Sequence, residues 1–407
     1  MKCRHCQTEL QDTFIDLGFS PPSNAYLKAE DLRRPETYYP LKVMVCRQCW
    51  LVQTEDYTHY DQLFDTEYAY FSSTSTTWLE HASRYVDMVA ARLQLGEQSL
   101  VVELAANDGY LLQYVKQKNI PCLGVEPTRS TADAARAKGI PIVEEFFGVA
   151  LGKRLRESHG AADLIAANNV LAHVPDINDF VGGMSALLAP QGMVTVECPH
   201  LLNLIAQSQF DTIYHEHFSY LSLVAVERVM RAQGLRVVDV EELPTHGGSL
   251  RIYACHIGAA IEATPAVAAM LARERAFGLE DIGAYAGFQH KAEEIKAQLL
   301  AFLLEQKRLG KKVLAYGAAA KGNTLLNYSG VHPDLLALVA DAAPSKQDKY
   351  MPGSHIPIVS PQRLLAEKPD VVLILPWNIK DEVAQQLAEI RNWGGRFAIA
   401  VPHLQVW

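Results

Sequence analysis

The sequence predicts an α/β protein built from three units, and two observations support this prediction. Short apolar runs rich in branched residues alternate with helical patterns over two separate stretches of the chain, which is typical of parallel sheets covered by helices. Two Cys-x-x-Cys pairs precede both stretches. A chain of 407 residues is also too long for one ordinary core. We expect a small metal-held unit over 1–70, a larger α/β unit over 71–262, and helices leading into a second, smaller α/β unit over 263–407.

The first unit carries a cysteine pattern that predicts a zinc site. Its two pairs offer four thiolates to one tetrahedral ion, at Cys3, Cys6, Cys46 and Cys49. A disulfide framework is the alternative, but a reducing cytosol disfavours it. Because four cysteines close the coordination shell, we expect the zinc to be structural rather than catalytic.

The middle unit shows alternating helix and strand patterns. A helical pattern begins at Thr77 and leads into the apolar run 99–104, whose length and branching indicate a buried strand. Further strands are expected at 122–126, 140–143, 164–167, 193–197, 238–240 and 250–256, with helices between the earlier ones and an antiparallel direction possible for the last. The sequence therefore predicts a sheet that is mostly parallel.

The last unit begins with a stretch rich in Ala, Glu, Lys, Gln and Leu over 265–309, the composition of long helices that bridge two domains. Strand patterns follow at 312–317, 336–341, 371–376 and 397–401. This is enough for a small open sheet.

Composition narrows the classes of function. The formal net charge of −9 disfavours nucleic acid as the main partner, because binding phosphates requires a basic face. No apolar run approaches the roughly 20 residues of a transmembrane helix, and the first residues lack the apolar core of a signal peptide. We expect a cytoplasmic protein without a membrane partner, as a monomer or small homo-oligomer.

Acidic and small residues follow the first strand of the middle unit. Glu103 ends the strand, Ala105, Asn107 and Asp108 lie in the turn, and Gly109 opens the next helix, so backbone can approach a ligand closely there. The G-x-G-x-x-G turn of dinucleotide folds is absent. The pattern resembles motif I of class I methyltransferases, E-x-G-x-x-x-G, with Ala105 where a glycine is commoner.

Polar residues also end the next strands. Glu126 follows the turn by about twenty residues, the spacing at which a carboxylate binds a ribose diol. Asn168 and Asn169 end a further strand, where open α/β sheets bind ligands, although these residues could instead cap a helix. Three strand-end motifs in this order predict a methyltransferase core that binds S-adenosylmethionine.

Four side chains able to carry protons stand in consecutive positions at Tyr214, His215, Glu216 and His217. Histidine can be neutral near pH 7 and still accept a proton, so either histidine can serve as a general base. Glu216 could orient an imidazole, and a tyrosine hydroxyl could donate to an oxyanion. In an extended segment Tyr214 and Glu216 share one face, whereas in a helical turn Tyr214 and His217 come together. The residues alone leave this choice open.

These motifs occur in order over nearly the whole chain, together with 68–73, 169–174 and 246–251. In this order they resemble the sugar C-methyltransferases that act on nucleotide-linked 4-keto-deoxyhexoses, such as the TDP-sugar 3-C-methyltransferases of antibiotic biosynthesis. The resemblance implies a zinc-binding N-terminal domain, a class I methyltransferase domain and a Rossmann-like C-terminal domain. It also implies deprotonation next to the ketone, at C3, followed by transfer of a methyl group from S-adenosylmethionine.

The resemblance implies catalytic roles as well. It makes His217 the base and puts Tyr214 and Glu216 in the same pocket, while Tyr68 and His173 face the sugar. The ranking of His217 above His215 therefore rests on analogy.

Substrate contacts are implied for five further residues. Tyr70 and His246 lie in matching motifs, as does Arg251, although Arg251 could be a surface charge and the glycines after His246 could simply form a turn. A C-terminal domain that covers the nucleotide makes Lys321 and Lys346 candidates for binding the diphosphate; solvated surface lysines are the alternative.

Two other classes of function stay open. One is a zinc-ribbon RNA-binding methyltransferase, which the acidic balance and the lack of a basic and aromatic stripe disfavour. The other is an oxidoreductase whose C-terminal unit binds a nicotinamide cofactor.

Overall fold

The computed structural model describes residues 1–56 and 71–407, so the predicted site residues Tyr68 and Tyr70 lie outside the described residues. The described strands form three sheets of four, seven and six strands. None of the helices within these ranges combines the length and hydropathy needed to cross a membrane.

The first sheet is antiparallel and has the order β1-β2-β3-β9. Its strands are β1 (Asp12–Ser20), β2 (Tyr39–Val45), β3 (Val52–Thr54) and β9 (Ser219–Tyr220). The fourth strand comes from the middle of the chain, where Ser219 pairs with Gln53 and Tyr220 with Val52. The zinc-binding unit is therefore joined by a sheet edge to the segment that carries His217.

The second sheet has the order β10-β11-β8-β7-β4-β5-β6. Its parallel strands are β4 (Val101–Leu104), β5 (Cys122–Val125), β6 (Ile142–Val143), β7 (Ala162–Asn168) and β8 (Leu188–Pro199), and β10 (Leu235–Leu243) and β11 (Ser249–His256) close it antiparallel. The antiparallel direction considered for 250–256 is thus confirmed. Since parallel strands end at the same edge, the motifs after β4, β5 and β7 lie side by side.

Helices connect these strands and precede the third sheet. They are α1 (Thr76–Leu93), α2 (Leu112–Gln117), α3 (Arg129–Ala137), α4 (Val149–His159), α5 (Ile177–Leu187), α6 (Leu201–Ala206), α7 (Leu223–Ala232), α8 (Pro265–Phe277) and α9 (Phe288–Arg308). The stretch predicted as bridging helices forms α8 and α9.

The third sheet has the order β14-β13-β12-β15-β16-β17. Its strands are β12 (Val313–Tyr316), β13 (Val339–Ala340), β14 (Ile358–Val359), β15 (Val371–Ile374), β16 (Arg396–Ile399) and the antiparallel β17 (Gln405–Val406). Its helices are α10 (Ala320–Ser329), α11 (Pro361–Ala366) and α12 (Lys380–Gln386).

The units share apolar cores rather than touching at their surfaces. Phe14 of β1 stacks on Phe288 of α9 with ring centroids 4.4 Å apart, and both belong to a buried cluster that continues through the third sheet. The chain after β1 also crosses α10, where the Asn323 side chain donates to the Ser23 carbonyl at 2.6 Å. The His217 segment lies where these parts meet, because the Thr324 hydroxyl of α10 donates to the Ile213 carbonyl at 2.8 Å.

Candidate active site

The segment with the two histidines forms a turn. The His217 amide donates to the Tyr214 carbonyl at 2.9 Å, and the rings of these two residues lie 3.9 Å apart between centroids. The turn is therefore the alternative that the protein adopts, and it brings the Tyr214 and His217 side chains together.

The hydrogen bonds of His217 identify which ring nitrogen holds the proton. Nδ1 lies 2.8 Å from the Thr212 carbonyl oxygen, and since a carbonyl only accepts, Nδ1 must donate and Nε2 must carry the lone pair. Desolvation, with smaller contributions from His173 and the charge of Lys321, holds the pKa of His217 well below its usual value. His217 is therefore a neutral imidazole that can accept a proton on Nε2.

A second neutral imidazole lies beside it. The ring of His173 is 4.7 Å from that of His217 between centroids, and His173 Nδ1 lies 2.8 Å from the Glu216 carbonyl oxygen. Burial lowers the pKa of His173 to about 4. Because His173 follows β7, this contact joins the predicted cofactor edge to the turn.

The other two members of the cluster hold the turn in place. Glu216 is 2% exposed; it accepts from the Asn24 amide at 3.1 Å, and burial raises its pKa. His215 lies 3.2 Å through Nε2 from the Pro40 carbonyl and faces β2 rather than His173. The contacts of His215 are thus those of a structural residue.

The turn after β4 contains left-handed backbone at three positions. Ala105, Asn107 and Gly109 have φ of 56°, 49° and 75°, a region that favours glycine. A Cβ on Gly109 would also lie 2.4 Å from Cδ1 of Ile140. The glycine that motif I of class I methyltransferases has at this place therefore has a conformational reason, and the alanine of this chain is strained there.

Two predicted cofactor carboxylates stabilise this turn. Glu126 accepts from the backbone amides of Asn107 and Thr128, each at 2.9 Å. Burial raises the pKa of Glu126, with these amides opposing the effect. Asp108 accepts from the Ser73 amide at 3.3 Å, so the segment before α1 covers the turn.

Glu103 and the two asparagines lie deeper at the same edge. Glu103 is 1% exposed, and burial raises its pKa well above the usual range. The buried side-chain oxygens of Asn168 and Asn169 have no hydrogen-bond partner within the described ranges. The helical turn that follows, Leu171–His173, has no side-chain cap, so the capping interpretation is wrong and both oxygens are available to a ligand.

His246 lies in a turn that faces the same edge. Its φ is 55°, and its ring meets Trp78 of α1 edge to face at 5.4 Å, while Trp78 stacks on Tyr110 at 6.0 Å. Burial lowers the pKa of His246 to about 4. The predicted turn before β11 is therefore present, and it brings His246 next to Trp78, which contacts Tyr110 just after the β4 turn.

Arg251 is buried, so its interpretation as a surface charge is wrong. Its guanidinium donates to Glu197 Oε1 through Nε at 2.8 Å and Nη2 at 2.5 Å, and Glu197 also lies 2.9 Å from His81 Nε2. Burial would raise the pKa of Glu197, but the hydrogen bond from His81 and the charge of Arg251 outweigh it and lower that pKa. His81 stacks on Trp78 at 4.8 Å, so this buried network supports the Trp78 wall.

Lys321, at the start of α10, faces the middle unit. Its Nζ donates to Asn378 Oδ1 at 2.7 Å and lies 4.9 Å from the centre of the Trp377 ring. Trp377 donates through Nε1 to Asp211 at 2.8 Å, three residues before Tyr214. Burial lowers the pKa of Lys321. Lys321 is therefore not a solvated surface lysine.

Lys346 lies further out. Its Nζ donates to the Ala318 carbonyl at 2.8 Å and is 3.6 Å from Asp341. Lys321, rather than Lys346, is the charge next to the histidine turn.

Several site residues carried no recognisable signal in the sequence. Thr212 fixes the His217 ring, Asn24 binds Glu216, and Trp78 lines the site beside His246. Asp211, which accepts from Trp377, was likewise not predicted, and its place just before the cluster is the one signal that could have identified it. The others are identified only by contacts between distant parts of the chain.

The four predicted zinc ligands converge. All four sulfur atoms lie within 4.8 Å of one another, and Cys3 to Cys49 and Cys6 to Cys46 are each 3.5 Å apart. Tetrahedral thiolates at a Zn–S distance of about 2.3 Å are separated by about 3.8 Å. The four cysteines therefore fit one zinc ion.

Family models match three consecutive parts of the chain. A zinc binding domain matches residues 3–64, a methyltransferase domain 78–240, and a C-methyltransferase C-terminal domain 244–402. The C-methyltransferase NovU of Streptomyces niveus is 36% identical over 405 residues, which is 100% of this chain and 96% of that protein. The likeness thus extends over all three units.

Solved structures resemble the chain over a smaller part. The magnesium protoporphyrin IX methyltransferase of Synechocystis PCC 6803 with bound S-adenosylmethionine has a TM-score of 0.33 and 14% identity, covering 44% of this chain and 81% of that one. The CcbJ methyltransferase of Streptomyces caelestis has a TM-score of 0.34 and 14% identity, covering 43% and 89%. A likeness of this degree says nothing about the substrate.

Proposed function

The chain belongs to the C-methyltransferase family, and we propose that it methylates C3, the carbon next to the ketone, of a nucleotide-linked 4-keto-deoxysugar. It is an S-adenosylmethionine-dependent enzyme with a zinc-binding domain. Family membership favours this function over an RNA-binding methyltransferase or an oxidoreductase.

The proposal depends on how carbon becomes a nucleophile. A carbon next to a ketone attacks an electrophile only after it loses a proton to give an enolate, so the site needs a base and a donor to the forming oxyanion. Bound S-adenosylmethionine supplies the electrophilic methyl group on its sulfonium. This chain must therefore supply the base.

The observation that carries the proposal is the state of His217. Its Nδ1–H is directed to the Thr212 carbonyl, which leaves the lone pair on Nε2, and its lowered pKa keeps it unprotonated at neutral pH. We assign it the removal of the sugar proton. The Thr212 carbonyl then stabilises the imidazolium, because it accepts a hydrogen bond from Nδ1–H before and after the proton transfer.

The neighbours of His217 have distinct proposed roles. The Tyr214 ring lies against the base, and its hydroxyl is our candidate donor to the enolate oxygen. Glu216 acts through the turn, since its carboxyl is buried against Asn24. His173 faces the sugar from the β7 side, and Tyr68 stays a predicted contact from the sequence.

The cofactor fits the edge formed by β4, β5 and β7. The free oxygens of Asn168 and Asn169 supply acceptors, the left-handed turn at Ala105 lets backbone approach the ligand, and Glu126 is our proposed ribose ligand. Glu103 and Asp108 complete the set of acidic residues there.

The nucleotide end of the substrate requires positive charge. Lys321 lies close enough to both His217 and His246 for its charge to affect them, and we propose that it binds the negatively charged part of the substrate. Lys346, whose Nζ contacts the Ala318 carbonyl just before α10, is the second candidate for this role. His246 lines the same pocket, while Arg251 contributes through Glu197 and His81. Tyr70 stays a predicted contact.

Mass spectrometry of product mixtures tests the proposal. The full chain is incubated with S-adenosylmethionine and a panel of nucleotide 4-keto-deoxysugars, with the matching 4-hydroxy sugars as controls. We expect a gain of one methylene on a keto sugar, resistant to ester hydrolysis, and no gain on the hydroxy sugars. Equal methylation of the hydroxy sugars would reject the enolate route.

A further inference from the structure

Arg4 stands between the first two zinc cysteines, yet its side chain points away from them into the protein. The side chain is only 4% exposed, although arginine is seldom buried without several partners. Its backbone amide donates to the Gln53 side chain at 2.8 Å, and Gln53 in turn donates to the sulfur of Cys3 at 3.2 Å. Arg4 is thus anchored to the metal knuckle through its own backbone.

The guanidinium of Arg4 contacts three other parts of the chain. Nη1 donates to the Pro175 carbonyl at 2.8 Å, and Nη2 donates to the Thr54 carbonyl at 3.0 Å and to Asp56 at 2.8 Å. Its carbon Cζ also lies 5.3 Å from the centre of the Phe218 ring. The contacts with Thr54, Phe218 and Pro175 each lie within one hydrogen bond or two residues of His217 or His173.

Single hydrogen bonds connect these residues to the segments that carry His217 and His173. The Thr54 hydroxyl donates to the His217 carbonyl at 3.2 Å, and the Thr54 amide donates to the Phe218 carbonyl at 3.2 Å. On the other side the Phe218 amide donates to the Ala172 carbonyl at 2.8 Å, next to His173. Arg4 therefore lies at the junction of the knuckle, β3, the His217 turn and the loop that carries His173.

We propose that Arg4 is a positioning residue that aligns His217 and His173 on the zinc knuckle. The zinc-binding unit then holds the His217 turn in place, in addition to stabilising its own fold. This inference rests on the proposed role of His217 as the base, and it assigns a function in the reaction to a residue of the metal-binding unit.

The second cysteine pair supplies a matched control. Arg47 follows Cys46 as Arg4 follows Cys3, but the Arg47 side chain is 63% exposed and pairs only with Asp12 among the described residues. The two arginines share position and charge in the motif. They differ in whether they reach the histidines.

The test compares R4M, R47M and wild type as zinc-loaded full chains. Zinc content is measured by inductively coupled plasma mass spectrometry, and amide deuterium exchange is measured for the peptide 213–220. Steady-state kcat and KM are measured with S-adenosylmethionine and the nucleotide 4-keto-deoxysugar. In R4M we expect unchanged zinc, faster exchange in 213–220, unchanged KM for S-adenosylmethionine, and kcat lowered roughly 100-fold, as for a misplaced catalytic group.

R47M should stay within about twofold of wild type, as for an exposed ion pair. Wild-type kcat and exchange in R4M would overturn the proposal, as would a loss of kcat that only follows lost zinc or that R47M shares. If R4M folds poorly, T54V replaces it as the test, because this variant removes only the hydrogen bond from the Thr54 hydroxyl to the His217 carbonyl. We expect faster exchange in 213–220 and a lower kcat in T54V. Exchange and kcat equal to those of wild type would overturn the proposal. Changed exchange in R4M alongside a wild type that methylates no keto sugar would support the positioning and reject the proposed reaction.

Discussion

Replacing His217 by asparagine removes the proposed base and preserves its anchor. The asparagine amide nitrogen takes the place of Nδ1, so the donor to the Thr212 carbonyl 2.8 Å away is kept. Only the Nε2 side of the ring is lost. The turn should therefore survive, because the hydrogen bond from the His217 backbone amide to the Tyr214 carbonyl and the pairing of β3 with β9 do not involve the ring.

The size of the effect follows from the role. A positioned general base contributes about 10²- to 10⁴-fold to a rate, which is roughly 3 to 6 kcal/mol at about 1.4 kcal/mol per tenfold. We expect H217N to lower kcat by this factor while its affinity for S-adenosylmethionine stays within about twofold, since the cofactor edge is formed by other residues. The anchoring hydrogen bond, worth about 1 kcal/mol, is retained.

A matched variant exists at the neighbouring histidine. H215Q keeps a donor for the Pro40 carbonyl, which lies 3.2 Å from His215 Nε2. It removes Nδ1, which has no hydrogen-bond partner among the described residues, and the edge-to-face contact of the ring with Tyr39. We expect this variant to keep kcat within a few-fold of wild type, about the effect of one hydrogen bond.

The assay separates deprotonation from methyl transfer. Deuterium entry at the carbon next to the ketone is followed by NMR in D₂O without the methyl donor, and methyl transfer is then followed in a single turnover. H217N should lose both. His217 is not the base if H217N retains both rates within about tenfold of wild type, or if H215Q loses as much.

Three further predictions concern stability and cofactor binding. Burial lowers the pKa of His173 and of His246 to about 4 from 6.5, so the unfolded chain binds more protons than the folded chain as the pH falls below 6.5. Denaturant unfolding at several pH values should show the free energy of unfolding falling by up to about 3 kcal/mol per histidine between pH 6.5 and 4. A free energy of unfolding that does not change over this range would contradict the prediction. A105G relieves a left-handed alanine with φ of 56° and should raise the free energy of unfolding by up to about 1 kcal/mol, measured by thermal unfolding, whereas a destabilised variant would show that the turn is not strained. E126Q should weaken S-adenosylmethionine binding roughly tenfold in calorimetric titration, and unchanged affinity would remove Glu126 from the cofactor site.

The strands, the zinc ligands and the cofactor turn could be predicted because their signals are local. Branched apolar runs predict buried strands wherever they occur, and paired cysteines with two residues between them form knuckles by their own spacing. The alanine at position 105 departs from the glycine of the motif, and its left-handed φ explains why glycine is commoner there.

The assembly of the site could not be predicted from the same signals. The pairing of Ser219–Tyr220 with β3 joins residues more than 160 positions apart, and no periodicity announces such a contact. The same holds for Asn24 with Glu216 and for Trp377 with Asp211. These distant contacts also set the backbone turn, so the different surroundings of His215 and His217 could not be predicted from the residues alone.

The most direct test of the account uses S-adenosylmethionine with a ¹³C-labelled methyl group, a nucleotide 4-keto-deoxysugar and D₂O, with the products followed by NMR. We predict that wild type places the labelled methyl on the carbon next to the ketone, shown by the chemical shift of the labelled carbon and by correlations from its protons to the sugar carbons. We also predict that the same sugar carbon gains deuterium in unreacted substrate only when His217 is present. A labelled methyl on oxygen, or equal deuterium entry with H217N, would contradict the account.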